Sequence, residues 1–410
     1  MKRFLLSNVL LLLTWTSNAQ QQVNVSMGAS YGNEVYYSFQ NGLAKIEPIN
    51  NWDLAFTVRA LDASIRINDM RGIKAFLASN NSNDWNNLDT NGMRAFELNN
   101  STESWEFGAL ANLGTNHPDY GWGVYNMVTH DVNGSRIFVL QLADGSFKKF
   151  FVESMTANQI FTFRLANLDG SNVVTKTVNK TDYTGKNFFY YDIATDSFLD
   201  REPVSSNWDM VFKRYLSPIQ AGPAVVWYPV MGVQTNIDVS SARVEGMVPN
   251  VVDSATYVRN TNDISRIGSN WKSFNNATFQ WTVYDTLSYF VSSRLGGVYQ
   301  LVFNGFGGSS NGDIAFIQSP NNGVGLDESK RFWMNIFPNP AEDYLYISFR
   351  QDLTYGTVEL VDIQGKVMLK EIVHQGEMRR FDLTQLKNGM YVLRLSSEGD
   401  THIQKIVVQN

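Results

Sequence analysis

The sequence predicts an all-β fold, with two tandem related antiparallel β units followed by a small immunoglobulin-like β-sandwich. The chain is rich in aromatic residues (13%), which favour strands, and holds 30 glycines to turn between them. Short segments of alternating apolar and polar residues recur along its whole length, as in half-buried antiparallel strands. A stretch of about twenty residues also occurs twice, which indicates a duplicated unit.

Composition excludes several functional classes. The net charge of −6 and the lack of a basic stripe argue against binding to nucleic acid, whose phosphates attract clustered lysine and arginine. The chain has no cysteine, which rules out disulfides, thiolate metal sites and a cysteine nucleophile. Its 410 residues leave room for two or three domains.

The first nineteen residues predict a Sec signal peptide. Lys2 and Arg3 precede an apolar run over 4–13, and Ser17-Asn18-Ala19 offers small residues before Gln20. A membrane span needs about 20 apolar residues, so this run is too short. Since no later segment is long or apolar enough, we predict no transmembrane segment.

The repeat divides the body of the chain. Glu47-Pro48 recurs 155 residues later as Glu202-Pro203, and Tyr36 matches Tyr191 at the same offset. Asn51-Trp52-Asp53 recurs 156 residues later as Asn207-Trp208-Asp209. We therefore predict unit 1 over 24–180 and unit 2 over 181–320, each ending in a three-stranded meander.

The repeated tryptophans are predicted to be core residues. Trp52, Leu54 and Phe56 alternate along the chain, so a strand would place all three on one face. Asp53 and Asp209 would then face the other way, where each could cap a turn or pair with a cation such as Arg59 or Lys213.

These repeated segments resemble the HmuY family of Bacteroidota haem-binding proteins. The likeness covers most of 25–320, once per unit, and its residues are Tyr36-Tyr37-Ser38, Pro48, Asn51-Trp52-Asp53-Leu54-Ala55-Phe56 and Asp144-Gly145-Ser146-Phe147-Lys148-Lys149. The resemblance implies an all-β extracellular protein that captures haem between two axial side chains, methionine serving in some relatives. Because these residues build the fold, the resemblance supports an inference about the fold more strongly than one about haem binding.

Haem ligation would depend on few residues. Of the four histidines, only His117 and His130 lie in the body, both in an aromatic and glycine-rich segment of unit 1, with Met127 three residues before His130. The alternative is that both are turn residues, because His117 precedes a proline and Asn133-Gly134 follows His130. Unit 2 has no histidine, so a site there would use Met210, Met231 or Met247.

Enzyme signatures are weak. Gly28-Ala29-Ser30-Tyr31-Gly32 matches a nucleophile elbow but lacks the preceding central strand. The polar segment 84–92 breaks the ligand order of a calcium loop. There is no zinc-protease helix motif and no phosphate-binding loop. We predict no catalytic residue, no metal site and a non-enzymatic protein.

The end of the chain is a separate small β module. A linker is predicted over 321–331, and the module over 332–410 contains Phe337-Pro338-Asn339-Pro340, Gly365, Gly389-Met390-Tyr391 and Lys405. Their order and spacing resemble the type A C-terminal sorting domain of the Bacteroidota type IX secretion system. The resemblance implies recognition by the translocon and its sorting machinery, and a protein secreted or attached to the outer surface.

The sequence thus predicts an exported, non-enzymatic ligand-binding protein. Haem or a related tetrapyrrole is the ligand that the resemblance implies. The alternative is a structural or adhesive surface protein that binds glycan or protein.

Overall fold

The computed structural model describes residues 20–60, 62–115, 117–245, 263–321, 334–337, 341–349, 355–362, 364–374, 378–397 and 400–409. These residues form antiparallel sheets and short 3₁₀ helices, so the all-β prediction is confirmed. The predicted signal peptide, 1–19, lies outside them. The chain divides into two compact units, the body up to Gly323 and the C-terminal module from Val324.

The body contains twenty-three described strands. In chain order they are β1 Gln21–Ser26, β2 Asn33–Ser38, β3 Gly42–Pro48, β4 Leu54–Thr57, β5 Ile65–Ile67, β6 Lys74–Ser79, β7 Glu97–Leu98, β8 Gly123–Tyr125, β9 Val132–Gly134, β10 Ile137–Gln141, β11 Phe147–Thr156, β12 Ile160–Asn167, β13 Val174–Asn179, β14 Phe188–Asp192, β15 Ser197–Leu199, β16 Met210–Ala221, β17 Ala224–Thr235, β18 Ser241–Val244, β19 Lys272–Asn275, β20 Gln280–Val283, β21 Ser288–Ser292, β22 Val298–Phe306 and β23 Asp313–Pro320. The 3₁₀ helices are Ala29–Tyr31, Asp69–Arg71, Ser82–Asn87, Met93–Phe96, Lys180–Tyr183, Ser205–Asn207 and Gly308–Ser310.

Four main sheets build the body. Outer sheet 1 has the strand order β13-β12-β11-β10-β6-β7, with β8 and β9 attached, and inner sheet 1 has the order β15-β14-β4-β5. Inner sheet 2 has the order β17-β16-β2-β3, and outer sheet 2 has the order β1-β23-β22-β21-β18. Strands β19 and β20 form a hairpin of their own.

Three apolar cores lie between these sheets. Core 1 packs inner sheet 1 against outer sheet 1, for example Phe56 against Phe163. Core 2 packs inner sheet 2 against outer sheet 2, for example Phe212 against Phe316. The middle core joins residues of both inner sheets, including Ala55 and Val211. Because the inner sheets have a core on each face, strands such as β4 and β14 are buried along their whole length rather than alternating.

The repeat units share both inner sheets. The first hairpin of the chain, β2–β3, pairs with β16, whereas the corresponding hairpin β14–β15 pairs with β4. Core 1 is therefore made by one continuous stretch of chain, and core 2 combines the beginning of the body with its last third. The predicted units, 24–180 and 181–320, each lend a hairpin to the sheet of the other.

Strand pairing shifts the correspondence between the two hairpins β2–β3 and β14–β15 by one residue. Leu54 pairs with Tyr191 and Met210 pairs with Tyr37, so Tyr36 corresponds to Tyr190 rather than to Tyr191. The contacts repeat accordingly. Tyr36 meets Trp208 edge-on at 5.0 Å between ring centroids, and Tyr190 meets Trp52 in the same way at 5.0 Å.

The tryptophans are core residues, but the predicted shared face is wrong. Strand β4 begins at Leu54, after Trp52, whose ring packs in the middle core while Leu54 and Phe56 pack in core 1. Asp53 behaves as a cap, accepting the amide hydrogen of Ile193 at 2.7 Å, and its cation is Arg71, at 3.1 Å, not Arg59. Asp209 accepts the amide hydrogen of Phe39 in the same way, at 2.7 Å.

The C-terminal module is a separate two-sheet sandwich. Its strands are β24 Met334–Phe337, β25 Tyr344–Phe349, β26 Tyr355–Asp362, β27 Val367–His374, β28 Met378–Asp382, β29 Gly389–Ser397 and β30 Asp400–Val408. One sheet has the order β24-β25-β28 and the other β27-β26-β29-β30. A core that includes Leu345, Leu360 and Leu393 fills the space between them.

Candidate functional site

The predicted haem ligands lie on one hairpin and the loop beside it. Strands β8 and β9 form a hairpin whose tip, 126–131, carries Met127 and His130. The loop with His117 is held against it because Pro118 accepts the amide hydrogen of Tyr125 at 2.8 Å. An ion pair between Arg136 and Asp119, at 2.7 Å, anchors the same loop.

Tyr125 brings the two histidines together. Its hydroxyl is 2.7 Å from Nδ1 of His130, and its ring lies 5.1 Å from that of His117. Both histidines are exposed, and Met127 is 68% exposed. The two imidazoles therefore contact the same tyrosine, and the side chain of Met127 lies open to solvent.

This cluster does not fit a haem gripped between two histidines. Such a haem needs a flat apolar gap between opposed ligands. Here the common neighbour of both imidazoles is the Tyr125 ring. A single imidazole is better placed, because a bond from Nδ1–H of His130 to Tyr125 would leave Nε2 as the lone pair for a metal.

Unit 2 builds the same hairpin from β19 and β20. Tyr125 pairs with Val132 in the first hairpin, and Phe274 pairs with Trp281 in the second. An asparagine side chain closes both tips in the same way. Asn126 accepts amide hydrogens from Val128 and Thr129 at 2.8 and 3.2 Å, and Asn275 accepts those of Ala277 and Thr278 at 2.8 and 3.2 Å.

An exposed ring occupies the same left-handed position in both tips. His130 has a φ of 61° and Phe279, its counterpart, a φ of 54°. This backbone region is unfavourable for a bulky residue such as Phe279, whereas histidine adopts it more readily. The Phe279 side chain is 79% exposed, so burial does not compensate for the strain. Strained positions of this kind are concentrated at binding sites.

The unit 2 tip presents a wider aromatic surface. Phe274 and Trp281 are in contact, with ring centroids 5.0 Å apart, and are 41% and 39% exposed. We name Phe274, Phe279 and Trp281 the aromatic platform. The sequence pattern of the platform is short: an aromatic residue, Asn, two variable residues, Thr and a second ring. It lies outside the segments in which the two units match best, so the sequence alone did not predict the platform.

A buried lysine lies beneath the platform. Lys272 donates to the carbonyl of Met231 at 2.7 Å and lies 4.1 Å from the ring centroid of Trp271 and 4.7 Å from that of Phe306. Burial lowers the pKa of Lys272 to about 7. The ammonium form is stabilised there by aromatic faces rather than by a carboxylate.

The middle core contains a charged cluster at the boundary of the two inner sheets. Glu34 pairs with Arg201 at 2.5 Å and with Lys213 at 3.2 Å, and Glu34 and Arg201 are both buried. Burial acts to raise the pKa of Glu34, but the two cations lower it to about 2. Burial raises the pKa of Glu202 to about 7, although its carboxylate accepts the amide hydrogen of Phe188 and the hydroxyl of Tyr190.

The remaining sequence motifs form no reactive arrangement. Ser30 lies in the 3₁₀ turn between β1 and β2. Asp84 and Asp89 bond within their own turns. Among the described residues, no three or more His, Asp or Glu side chains are grouped so that they could hold a metal ion. No helix in the described part of the chain is long and apolar enough to cross a membrane.

The described sorting residues take up turn and strand positions. Gly365 follows β26 in a turn with a φ of 84°, where glycine is unstrained. Gly389 opens β29, in which Tyr391 is buried and donates its hydroxyl to the carbonyl of Lys387 at 2.9 Å. Phe337 ends β24 and Lys405 lies within β30. Pro338, Asn339 and Pro340 lie outside the described residues.

Comparison with known proteins identifies one part of the chain. The family model of the secretion system C-terminal sorting domain matches residues 335–409. A search of the curated proteins finds no match. Residues 335–409 are thus a type IX sorting domain, which supports export of the protein to the medium or the cell surface.

Proposed function

We propose that the exported body is a non-enzymatic binding protein, with the ring-bearing hairpin tip of each unit as its ligand-contacting element. The observation that carries the proposal is the repeated left-handed ring, His130 in unit 1 and Phe279 in unit 2. Two tips with equivalent closing bonds both place an exposed ring in the left-handed region, and for the bulky Phe279 this costs backbone energy. An interaction with a ligand that has a flat apolar face would account for that cost.

Haem is the first ligand class to test, at the unit 1 tip. The support is the HmuY resemblance together with the bond between His130 and Tyr125, which resembles the partner that orients a metal-ligating imidazole. When bound, haem would supply the iron chemistry, and His130 would supply one axial nitrogen.

Haem titration of the full chain tests this assignment. We expect a saturable one-to-one Soret shift that His130→Ala abolishes and that Phe279→Ala leaves intact, because Phe279 lies on the other tip. His117→Ala should weaken the shift less than His130→Ala, and Met127→Ala should leave it unchanged. A shift that survives His130→Ala would exclude this tip as the site.

Glycan or protein adhesion is the second candidate, at the aromatic platform. Its support is the exposure of three contacting rings on one hairpin, since aromatic faces stack on the apolar faces of sugar rings and are enriched at protein interfaces. A glycan array probed with the full chain should show binding that Trp281→Ala and Phe279→Ala reduce at least tenfold. Phe96→Ala, which removes a similarly exposed ring elsewhere, is the matched control.

A further inference from the structure

The hairpin formed by β16 and β17 is longer than its counterpart in unit 1. Leu54 pairs with Ile67, thirteen residues later, whereas the equivalent Met210 pairs with Thr235, twenty-five residues later. The equivalence is supported by Asn68 and Asn236, which follow these pairs and bond to the carbonyls of Trp52 and Trp208, respectively. Unit 2 therefore has twelve additional residues in this hairpin.

Those twelve residues, 217–228, form the hairpin tip, which we name the extension. Only the base of β16 pairs with a second neighbour, since β2 contacts residues 210–212 alone. From Pro218 onward the tip is exposed. Unit 1 forms its inner sheet without such a tip, so the shared fold does not require it.

The extension is apolar on both faces. Residues directly opposite each other in an antiparallel pair share a face. Ile219 is opposite Val226, and Ser217 is opposite Tyr228, on one face; Pro218 is opposite Trp227, and Gln220 is opposite Val225, on the other. The exposed fractions are 38% for Ile219, 61% for Val225, 43% for Val226, 36% for Trp227 and 55% for Tyr228.

Charge and backbone chemistry indicate what kind of partner the extension contacts. No charged residue occurs between Tyr215 and Ile237. Docking on a flat protein surface would cover one face of the ribbon, whereas immersion in lipid would cover both. Prolines at 218, 223 and 229 lack the amide hydrogens that a third strand would bind, which disfavours sheet extension by another chain.

We propose that the extension inserts into the interfacial region of a lipid surface. Five paired residues make the extension about 17 Å long at about 3.3 Å per residue. Insertion is shallow because a two-stranded ribbon leaves backbone groups that must stay near water. Trp227 and Tyr228 have the amphipathic rings that are enriched at membrane interfaces.

A single fluorescent probe tests the proposal in the full chain. Because the protein has no cysteine, Val226→Cys can carry one environment-sensitive label, and Leu43→Cys, 54% exposed on β3, is the matched control. With phosphatidylcholine vesicles we expect a blue shift at position 226 only, unchanged between 0.1 and 0.5 M salt. In flotation, Val226→Asp should reduce vesicle binding at least tenfold, and Leu43→Asp should not.

Three results would overturn the proposal. The first is no blue shift at position 226 with vesicles. The second is an equal shift at position 43, which would indicate non-specific adsorption. The third is a shift at position 226 that rises with protein concentration without lipid, which would assign the extension to contact with a second copy.

Discussion

Glu34 shows how the residue-level chemistry of the middle core depends on pairing. A carboxylate buried without partners would be protonated, yet Arg201 and Lys213 lower its pKa to about 2. Removing only one member of such a cluster leaves charges buried without a counter-ion, which is strongly destabilising.

Glu34→Gln should therefore destabilise the body at neutral pH by about 3 kcal/mol. The folded pKa lies below the unfolded value, so the contribution of Glu34 is present above about pH 4.5 and is lost as the pH falls toward 2. Urea unfolding of both proteins between pH 3 and 8 measures this. A difference that stays constant across the range would refute the assigned pKa.

Lys272 should change the stability of the body with pH in the same direction as Glu34, but over a higher pH range. Its pKa, lowered to about 7, lies below that of the unfolded chain, so the burial cost is full below about pH 7 and fades as the pH rises toward 10. Lys272→Met keeps the volume and removes the charge. We expect the variant to be more stable than the parent at pH 6 and to lose that advantage by pH 9.5, as thermal melts would show. A variant less stable than the parent at pH 6 would contradict this account of Lys272.

At the level of elements, the sequence predicted strands well and their faces less well. Alternation placed Trp52 with Leu54 and Phe56, but the chain bends before β4 begins, and Trp52 packs in the other core. Period-two patterns hold only inside a strand. In unit 1, His130 drew attention to the hairpin tip in the sequence. The equivalent tip of unit 2 carries Phe279 instead, and no residue there suggests metal binding.

The extension should be dispensable for folding. Replacing 217–228 with Asn-Gly would give a short hairpin like that of unit 1, with a turn suited to two paired strands. We expect the melting temperature to change by no more than a few degrees, because the removed residues are mainly exposed. Loss of cooperative unfolding in this variant would show that the extension supports the fold.

For the whole molecule, the duplication was readable from the sequence, but the sharing of hairpins was not. Matching segments such as Asn51-Trp52-Asp53 and Asn207-Trp208-Asp209 show that units are related. They do not show which copy of β2–β3 pairs with which copy of β4, because both copies offer nearly the same strand. Only register in the folded chain, Leu54 with Tyr191 and Met210 with Tyr37, settles that choice.

Protein fragments can distinguish division of the body by repeat unit, 24–180 and 181–320, from division by core. Residues 53–200 contain all of core 1 and both of its sheets, whereas 24–180 lacks β14 and β15. We expect the first fragment to unfold cooperatively in urea and the second to show no cooperative transition. The converse result would favour units that each fold with their own first hairpin.

The central claim is that the two left-handed rings serve binding rather than folding. The most direct measurement is the unfolding free energy of Phe279→Gly, since glycine adopts a φ of 54° without strain. We expect stability to rise by about 1 kcal/mol because the lost ring is almost fully exposed. A fall in stability would show that the ring holds the hairpin together and would contradict the claim.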